Sequence, residues 1–378
     1  MEDDVKQYAF DDTKLEIGRP VEIGRSVGHF WFPSLHPIGT DELFCLVNRG
    51  DDKAQGEWPA EFHLSRDGGQ SWHHVHDGIY GPNSVLLEPG KLLMMPYELW
   101  PTSPGDRRNC RADGTVVTRA GNGSLSFERR EVRFLDFPHD LEEYHEDELR
   151  MHTNGNILPL KNGRLFTTLY GAAAGQERYS VYGLTSEDGG FTWRFLSIVA
   201  SPEGEADLEE GPDENNTVRL ADGRLLCVYR VGGMKEFRKS YSADEGVTWT
   251  APARVEGAWS VEPQLVRLEC GLLLLTGGRP GLLLWACSDG KGESWNKISL
   301  AAHHNDLMAE KGLHYENEVC DGSQTMNPPQ STSYTGMKRT GTNEALICYD
   351  RLANGWSGAP GPWGEEDAVF CVRVRADG

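Results

Sequence analysis

The chain has no Cys-x-x-Cys pair, no apolar run long enough to cross a bilayer, no sustained helical periodicity, and few basic residues for its acidic ones. Each deficit excludes something. The eight cysteines, Cys45, Cys110, Cys227, Cys270, Cys287, Cys320, Cys348 and Cys371, are scattered, and several sit in apolar runs such as Leu225-Leu226-Cys227-Val228. That distribution reads as buried free thiols, not as a zinc site or a disulfide frame. Without an apolar stretch of about 20 residues no membrane-spanning helix is expected. The 37 Lys+Arg against 58 Asp+Glu leave a net charge of -21, which opposes binding to nucleic acid or to an anionic membrane surface. The acidic start, Met1-Glu2-Asp3-Asp4-Val5-Lys6, carries no apolar signal-peptide core. The expectation is a soluble, cytoplasmic protein, or a secreted one if a leader has been removed.

What is present points to strands. The chain has 44 Gly, 20 Pro and 11 Trp in 378 residues, which suits many short strands joined by tight turns. A length awkward for one ordinary core is natural for a closed all-β ring that grows by adding sheets. One domain spanning residues 1–378 is therefore expected.

Two repeats define its period. Ser-x-Asp-x-Gly-x-(Ser/Thr)-Trp occurs at Ser65–Trp72, Ser186–Trp193 and Ser242–Trp249, with a degenerate copy at Ser288–Trp295 and a remnant at Gly121–Phe127. This is turn chemistry: the Asp carboxylate accepts backbone N–H groups, Gly takes a φ other residues resist, and Trp plugs the sheet edge. Ahead of each copy runs a strand, a Gly turn and a second apolar strand, beginning near His29, Asn83, Asn156, Asn216, Gln264 and Tyr334. Six copies predict a six-bladed β-propeller of four-stranded antiparallel blades. The last strand, Ala368–Val374, should share a sheet with N-terminal residues and close the ring.

In such a blade the Ser-x-Asp turn joins strands 3 and 4, on the face opposite the strand-1 starts and the strand 2–3 loops. The functional face should therefore carry Glu214, Arg230, Arg279 and Tyr334, far apart in sequence yet each placed to point into the central funnel. The segments around them carry a resemblance. Asp213–Arg230 looks like the sialidase blade in which a Glu opens strand 1 and an Arg closes strand 2. Gly278-Arg279-Pro280-Gly281-Leu282 resembles the blade supplying another carboxylate-binding Arg, and Ser333–Met337 with Leu346–Asp350 is similar to the last blade, which bears the nucleophilic Tyr. The turn repeats resemble the Asp boxes, or BNR repeats, of the same superfamily.

The resemblance implies a retaining exo-glycosidase that uses Tyr334 as nucleophile, Glu214 as its base, and Arg230 and Arg279 as clamps on the carboxylate of a sialic-acid-like sugar. The chemistry is coherent. An anionic nucleophile would be repelled by a carboxylate on the anomeric carbon, whereas a Tyr hydroxyl is not, and guanidinium groups hold carboxylates by forked bonds. No cofactor or metal is implied. The first clamp Arg of sialidases is missing: Phe30-Trp31-Phe32-Pro33 stands in its place. Either Arg25, Arg49 or Arg111 substitutes, or the ligand differs and Trp31 stacks on a sugar face. For the acid, Asp51 and Asp52 are the nearest aspartates, with Glu57 as runner-up and Asp52 preferred.

Three further features are weighed. The stretch Asp136–Glu148 lacks metal spacing and reads as a solvated loop. The insertion Ala301–Gln330, with His303, His304 and His314, should rim the functional face. His152 and Asn154 are candidate sugar contacts. Two rival readings remain: a glycosidase of the same fold acting on another sugar, and a non-catalytic propeller binding glycan or protein. Oligomeric state is not legible.

Overall fold

A computed structural model describes residues 5–10, 13–52, 55–145, 147–203, 208–233, 235–316, 331–355 and 365–377. Cys320 and residues 317–330 of the 301–330 insertion lie outside the described residues. The protein is all-β, with 29 strands and one α-helix among the described residues. Its Cα trace divides into two compact units, one of Met1–Ala54, Trp58–Gly78 and Glu256–Gly378, the other of Gln55–Glu57 and Ile79–Val255.

The first unit holds two four-stranded meanders. One runs through Trp31–Pro37, Leu43–Asn48, Pro59–Ser65 and His73–Ile79, the other through Gln264–Arg267, Leu273–Gly277, Leu283–Cys287 and Asn296–Ser299. A third sheet is formed by Thr335–Gly341, Glu344–Arg351, the long strand Glu366–Ala376 and Val21–Val27, with the hairpin Val5–Phe10/Thr13–Gly18 at its edge. The expected union of chain ends is present: Ala368 pairs with Arg25, and Ile17 with Val374. Cys45, Cys348 and Cys371 are fully buried in one cluster with Phe30, Leu35 and Trp72.

In the second unit one sheet contains two successive meanders. Asn83–Glu88, Lys91–Met95, Cys110–Arg119 and Leu125–Leu135 form the first; Glu148–Thr153, Leu165–Gly171, Ser180–Ser186 and Thr192–Ala200 form the next. Their outer strands meet in parallel, Arg133 beside Thr192. A separate four-stranded sheet follows, Asn215–Arg219, Leu225–Tyr229, Arg238–Ser242 and Ala253–Arg254. Apolar side chains alternate into shared cores, where Phe134, Phe137, Tyr182 and Trp193 are completely buried.

Every Ser-x-Asp turn joins the third strand of a meander to the fourth, and its hydrogen bonds repeat. Gly69, Gly190 and Gly246 donate N–H to Ser65, Ser186 and Ser242 Oγ at 2.7, 2.9 and 2.8 Å. The Asp accepts from the residue four further on, as in Thr192 N to Asp188 Oδ1 at 2.8 Å. The Trp indole then donates to the Gly carbonyl three residues back, at 2.8 Å for Trp193 and Gly190. The degenerate copy is offset from the expected Ser288. Cys287 occupies the Ser position, donating to Asp289 Oδ1 at 2.9 Å, and one extra residue separates Asp289 from Gly292 before Trp295 closes the turn. The thiol was unreadable as a turn residue because only its place in the sheet puts it there.

The insertion reading gains detail, and the reading of Cys270 is corrected. The insertion after Leu300 opens as the helix Leu300–Leu307, capped by Ser299 Oγ on Ala302 N. Its histidines are packing residues. His303 bonds the Gly18 carbonyl at 2.8 Å and His304 meets the Tyr349 hydroxyl at 3.1 Å, burial driving the pKa of His304 down to about 3. Cys270, read with the buried thiols, is exposed at a turn.

Candidate functional site

In the first unit Arg279 and Tyr334 come together. The Arg279 guanidinium lies 5.0 Å from the Tyr334 ring centroid and donates to Ser333 Oγ at 3.2 Å. Phe32 stacks on Tyr334 with centroids 4.4 Å apart. Gly278 permits this approach, since a Cβ there would lie 1.7 Å from the Ser333 carbonyl oxygen. Asp350, wholly buried, fixes the arrangement by accepting from Phe32 N at 3.0 Å, Thr332 Oγ1 at 3.0 Å and Ser333 N at 2.5 Å. Burial pushes its pKa up to about 6 against the pull of these donors. It also holds Phe32 at φ 51°, a left-handed conformation uncommon for a non-glycine residue.

Trp31 is 1 % exposed, packed against Phe32 and His29, with its indole N–H bonded to the Gly50 carbonyl at 2.9 Å. It buttresses Phe32 and presents no open face to a sugar. Of the three candidate replacement cations, Arg25 pairs with Glu22 and Glu310. Arg49 lies 3.4 Å from Glu61 and over the Phe30 ring. Arg111 sits on Cys110–Arg119, partly exposed, in the second unit. Asp51 is exposed and Asp52 half-buried in a loop of the first unit. Glu57 is engaged by Arg129 at the surface of the second unit.

In the second unit Glu214 and Arg230 come together as the spacing required. Backbone bonds Asp213 N to Arg230 O (3.0 Å) and Arg230 N to Glu214 O (2.9 Å) continue the strand pair, so both side chains leave from the same end. Sequence reasoning missed the remainder of the cluster. Arg230 is within 3.4 Å of Glu214, 3.6 Å of Asp213 and 3.1 Å of Glu210. Glu214 and Asp213 are 3 % and 1 % exposed. Burial raises the Asp213 pKa well above the usual carboxylate range, with the Arg230 charge opposing and the neighbouring carboxylates adding to the rise.

A second carboxyl group site adjoins this one. Glu98 opens the strand Glu98–Pro101 and Glu148 opens Glu148–Thr153, and the register sets Glu98 opposite His152. All three side chains are buried. His152 Nδ1 is 3.2 Å from Glu98, while Glu148 accepts from Gly56 N at 3.2 Å. Burial, and next the charge of Glu98, push Glu148 up to about 7. The stretch read as a solvated loop thus ends in a buried acid. Its signal was hidden because Glu148 differs from the exposed acids before it only in the sheet that covers it.

Aromatic rings join the two groups. His152 stacks on Tyr97 at 4.9 Å and lies near Tyr170 and Tyr179, and Tyr179 packs beneath Arg150 at 4.2 Å. Tyr179 N also donates to the Glu210 carbonyl at 2.8 Å, and its phenol lies in the field of Asp213. Asn154, a candidate sugar contact, is instead a strap: 2 % exposed, it accepts from Asn215 N at 2.6 Å. The arrangement combines a carboxyl that keeps its proton near neutrality with a carboxylate held against a guanidinium, along a wall of tyrosines. Among the described residues no group of three or more His, Cys, Asp or Glu is disposed to hold a metal ion, and no helix is long and apolar enough to cross a membrane.

No protein-family model matches the chain, and no curated protein matches it either. Solved structures do. A protein of unknown function from Dyadobacter fermentans superposes with a TM-score of 0.61 at 15% identity, over 95% of this chain and 99% of that one. An α-L-arabinanase of Penicillium chrysogenum, complexed with arabinobiose, gives 0.57 at 11% identity over 93% and 97%. A Hadza microbial sialidase gives 0.59 at 12% identity over 92% of this chain and 65% of that one. The arabinanase and sialidase structures share a β-propeller fold. At these identities the likeness is one of fold.

Proposed function

We propose that this chain is a single six-bladed β-propeller bearing Asp-box turns, and a glycoside hydrolase acting on the end of a neutral glycan. Five four-stranded meanders, a sixth sheet that pairs both chain ends and the repeated Ser-x-Asp turns support the propeller. The observation that carries the activity is the buried carboxylate Glu214 beside Arg230, in the same unit as the aromatic cluster of Tyr97, His152, Tyr170 and Tyr179. Glu214 is the carboxylate that meets the anomeric centre as its positive charge develops.

The sugar is neutral because the cation is already committed. Arg230 faces three carboxylates, Glu210, Asp213 and Glu214. A substrate carboxylate arriving there would have to displace a carboxyl partner of Arg230. The sialidase reading, with Tyr334 as nucleophile, Glu214 as its base, Arg279 and Arg230 as clamps and Asp52 as acid, is favoured by one feature: Arg279 is 6 % exposed and lies on Tyr334.

One assay separates them. Aryl glycosides of neutral sugars, arabinofuranosides included, are run beside an aryl sialoside with wild type, Tyr334→Phe and Glu214→Gln. Turnover of a neutral glycoside, lost in Glu214→Gln and kept in Tyr334→Phe, is expected. Turnover of the sialoside alone, lost in Tyr334→Phe, would replace this reading by the sialidase one. No turnover of any glycoside would leave a non-catalytic glycan-binding propeller.

A further inference from the structure

We infer that Glu98 and Glu148 form a proton-sharing carboxyl pair, with Glu148 as the catalytic proton donor to the leaving glycosidic oxygen and Glu98 as the positioning residue that keeps it charged with a proton. The assignment rests on the glycosidase reading and replaces Asp52 in that role.

Three observations carry it. The two carboxyl groups are buried, 5 % and 3 % exposed, on paired strands that bring Glu98 within hydrogen-bonding reach of Glu148, and two like charges so placed cannot both ionise, so one proton is retained. The single strong donor that Glu148 accepts from is Gly56 N, whereas Glu98 has the imidazole of His152 at 3.2 Å. Glu148 is the member of the pair whose pKa is raised, by burial first and then by its Glu98 neighbour, so the retained proton is placed on Glu148. Finally, His152 and Tyr179 connect the pair to the Glu214 cluster, Tyr179 N donating to the Glu210 carbonyl and Glu210 facing Arg230.

The groups facing Glu148 are consistent with this. His145 lies directly across from it on the paired strand, His152 and Arg150 follow on its own strand, Tyr144 lies edge-on to His152, and Tyr97 and Tyr170 share a hydroxyl contact of 2.6 Å. Against these burial, and next the Glu98 charge, dominate, the His152 charge pulling the other way.

In the catalytic step the Glu148 O–H proton moves to the glycosidic oxygen as the bond from that oxygen to the anomeric carbon breaks, the electron pair staying on the departing oxygen, and a water oxygen then bonds to the anomeric carbon and gives up a proton to solvent. Glu148 leaves the step as a carboxylate and is reprotonated from water.

The test has an arm independent of activity. Carboxyl-13C glutamate labelling, titrated by NMR, should show one carboxyl with a near-neutral midpoint that vanishes in Glu148→Gln and falls by about one unit in Glu98→Gln. Absence of such a group would overturn the pair whatever the enzyme does. In kinetics, Glu148→Gln should lose about 100- to 10,000-fold on an alkyl glycoside yet keep most turnover of the dinitrophenyl glycoside, whose leaving group needs no proton. Equal losses on both would overturn the donor role. The basic limb of kcat/KM should move to lower pH in Glu98→Gln, as it would not for a merely structural residue; an unmoved limb would overturn the positioning role. If wild type cleaves no glycoside while the shared proton is seen, the hydrolase reading fails and the donor role with it, and the pair stands.

Discussion

Replacing Arg230 by Met keeps the apolar stem of the side chain and deletes its charge. In the wild type that charge faces Glu210 at 3.1 Å, Glu214 at 3.4 Å and Asp213 at 3.6 Å. Glu210 is 39% exposed and screened by water, so it counts for little; Asp213 and Glu214, at 2% and 4%, do not have that screening. At an effective dielectric of about 20, a charge pair about 4 Å apart is worth about 4 kcal/mol before desolvation. Removing one partner of a buried pair costs about 3–5 kcal/mol, because the other charge is left uncompensated. We expect Arg230→Met to lose that much stability at about pH 8 by urea unfolding followed through tryptophan fluorescence. The sign with pH is fixed by linkage. Without the guanidinium, which opposes the rise of the Asp213 pKa, Asp213 holds its proton in the folded chain to still higher pH than in the unfolded one. That stabilising uptake is complete below the ordinary carboxylate range and is lost as pH rises through the elevated folded value. The deficit against wild type should therefore shrink to less than half by about pH 5. A pH-independent loss below about 1 kcal/mol would refute the reasoning and return Arg230 to the pool of substrate clamps.

The remaining expectations are shorter. Asp188→Ala, which removes the acceptor of Ser186 Oγ and Thr192 N, should lower unfolding free energy by about 1–2 kcal/mol with turnover unchanged, since that turn lies at the opposite end of its strands from the strand starts. Gly278→Ala places a methyl 1.7 Å from the Ser333 carbonyl, so it should displace Arg279 and Ser333 and lower Tm by several degrees in a thermal melt. An unshifted Tm would show that the backbone there yields freely. The neutral-glycoside panel with Glu214→Gln and the Glu148→Gln and Glu98→Gln series complete the set.

Much of the molecule was legible because turns are local chemistry. A Ser, an Asp two residues on, a Gly and a Trp at fixed offsets make a closed set of hydrogen bonds that needs nothing from the rest of the chain, so each copy marks the joint between third and fourth strands. The meanders follow by counting. Glu214 and Arg230 were legible for the same reason: 16 residues of strand, turn and strand return the chain to its own starting end.

The rest depended on contacts that no local pattern encodes. Arg230 reads as a free clamp until Glu210 and Asp213 are seen to be beside it, and Trp31 reads as a sugar platform until its burial is known. Glu98 and Glu148 are 50 residues apart, separated by strands of one meander, and nothing in either neighbourhood distinguishes them from solvated acids. Sequence by itself determined the all-β class, the strand period and the turn chemistry, because hydrogen bonds within about eight residues depend only on spacing and side-chain type. Tertiary structure decided which charges are compensated, which aromatics are exposed and which acid keeps its proton, because desolvation and Coulomb energy depend on everything that closes around a group.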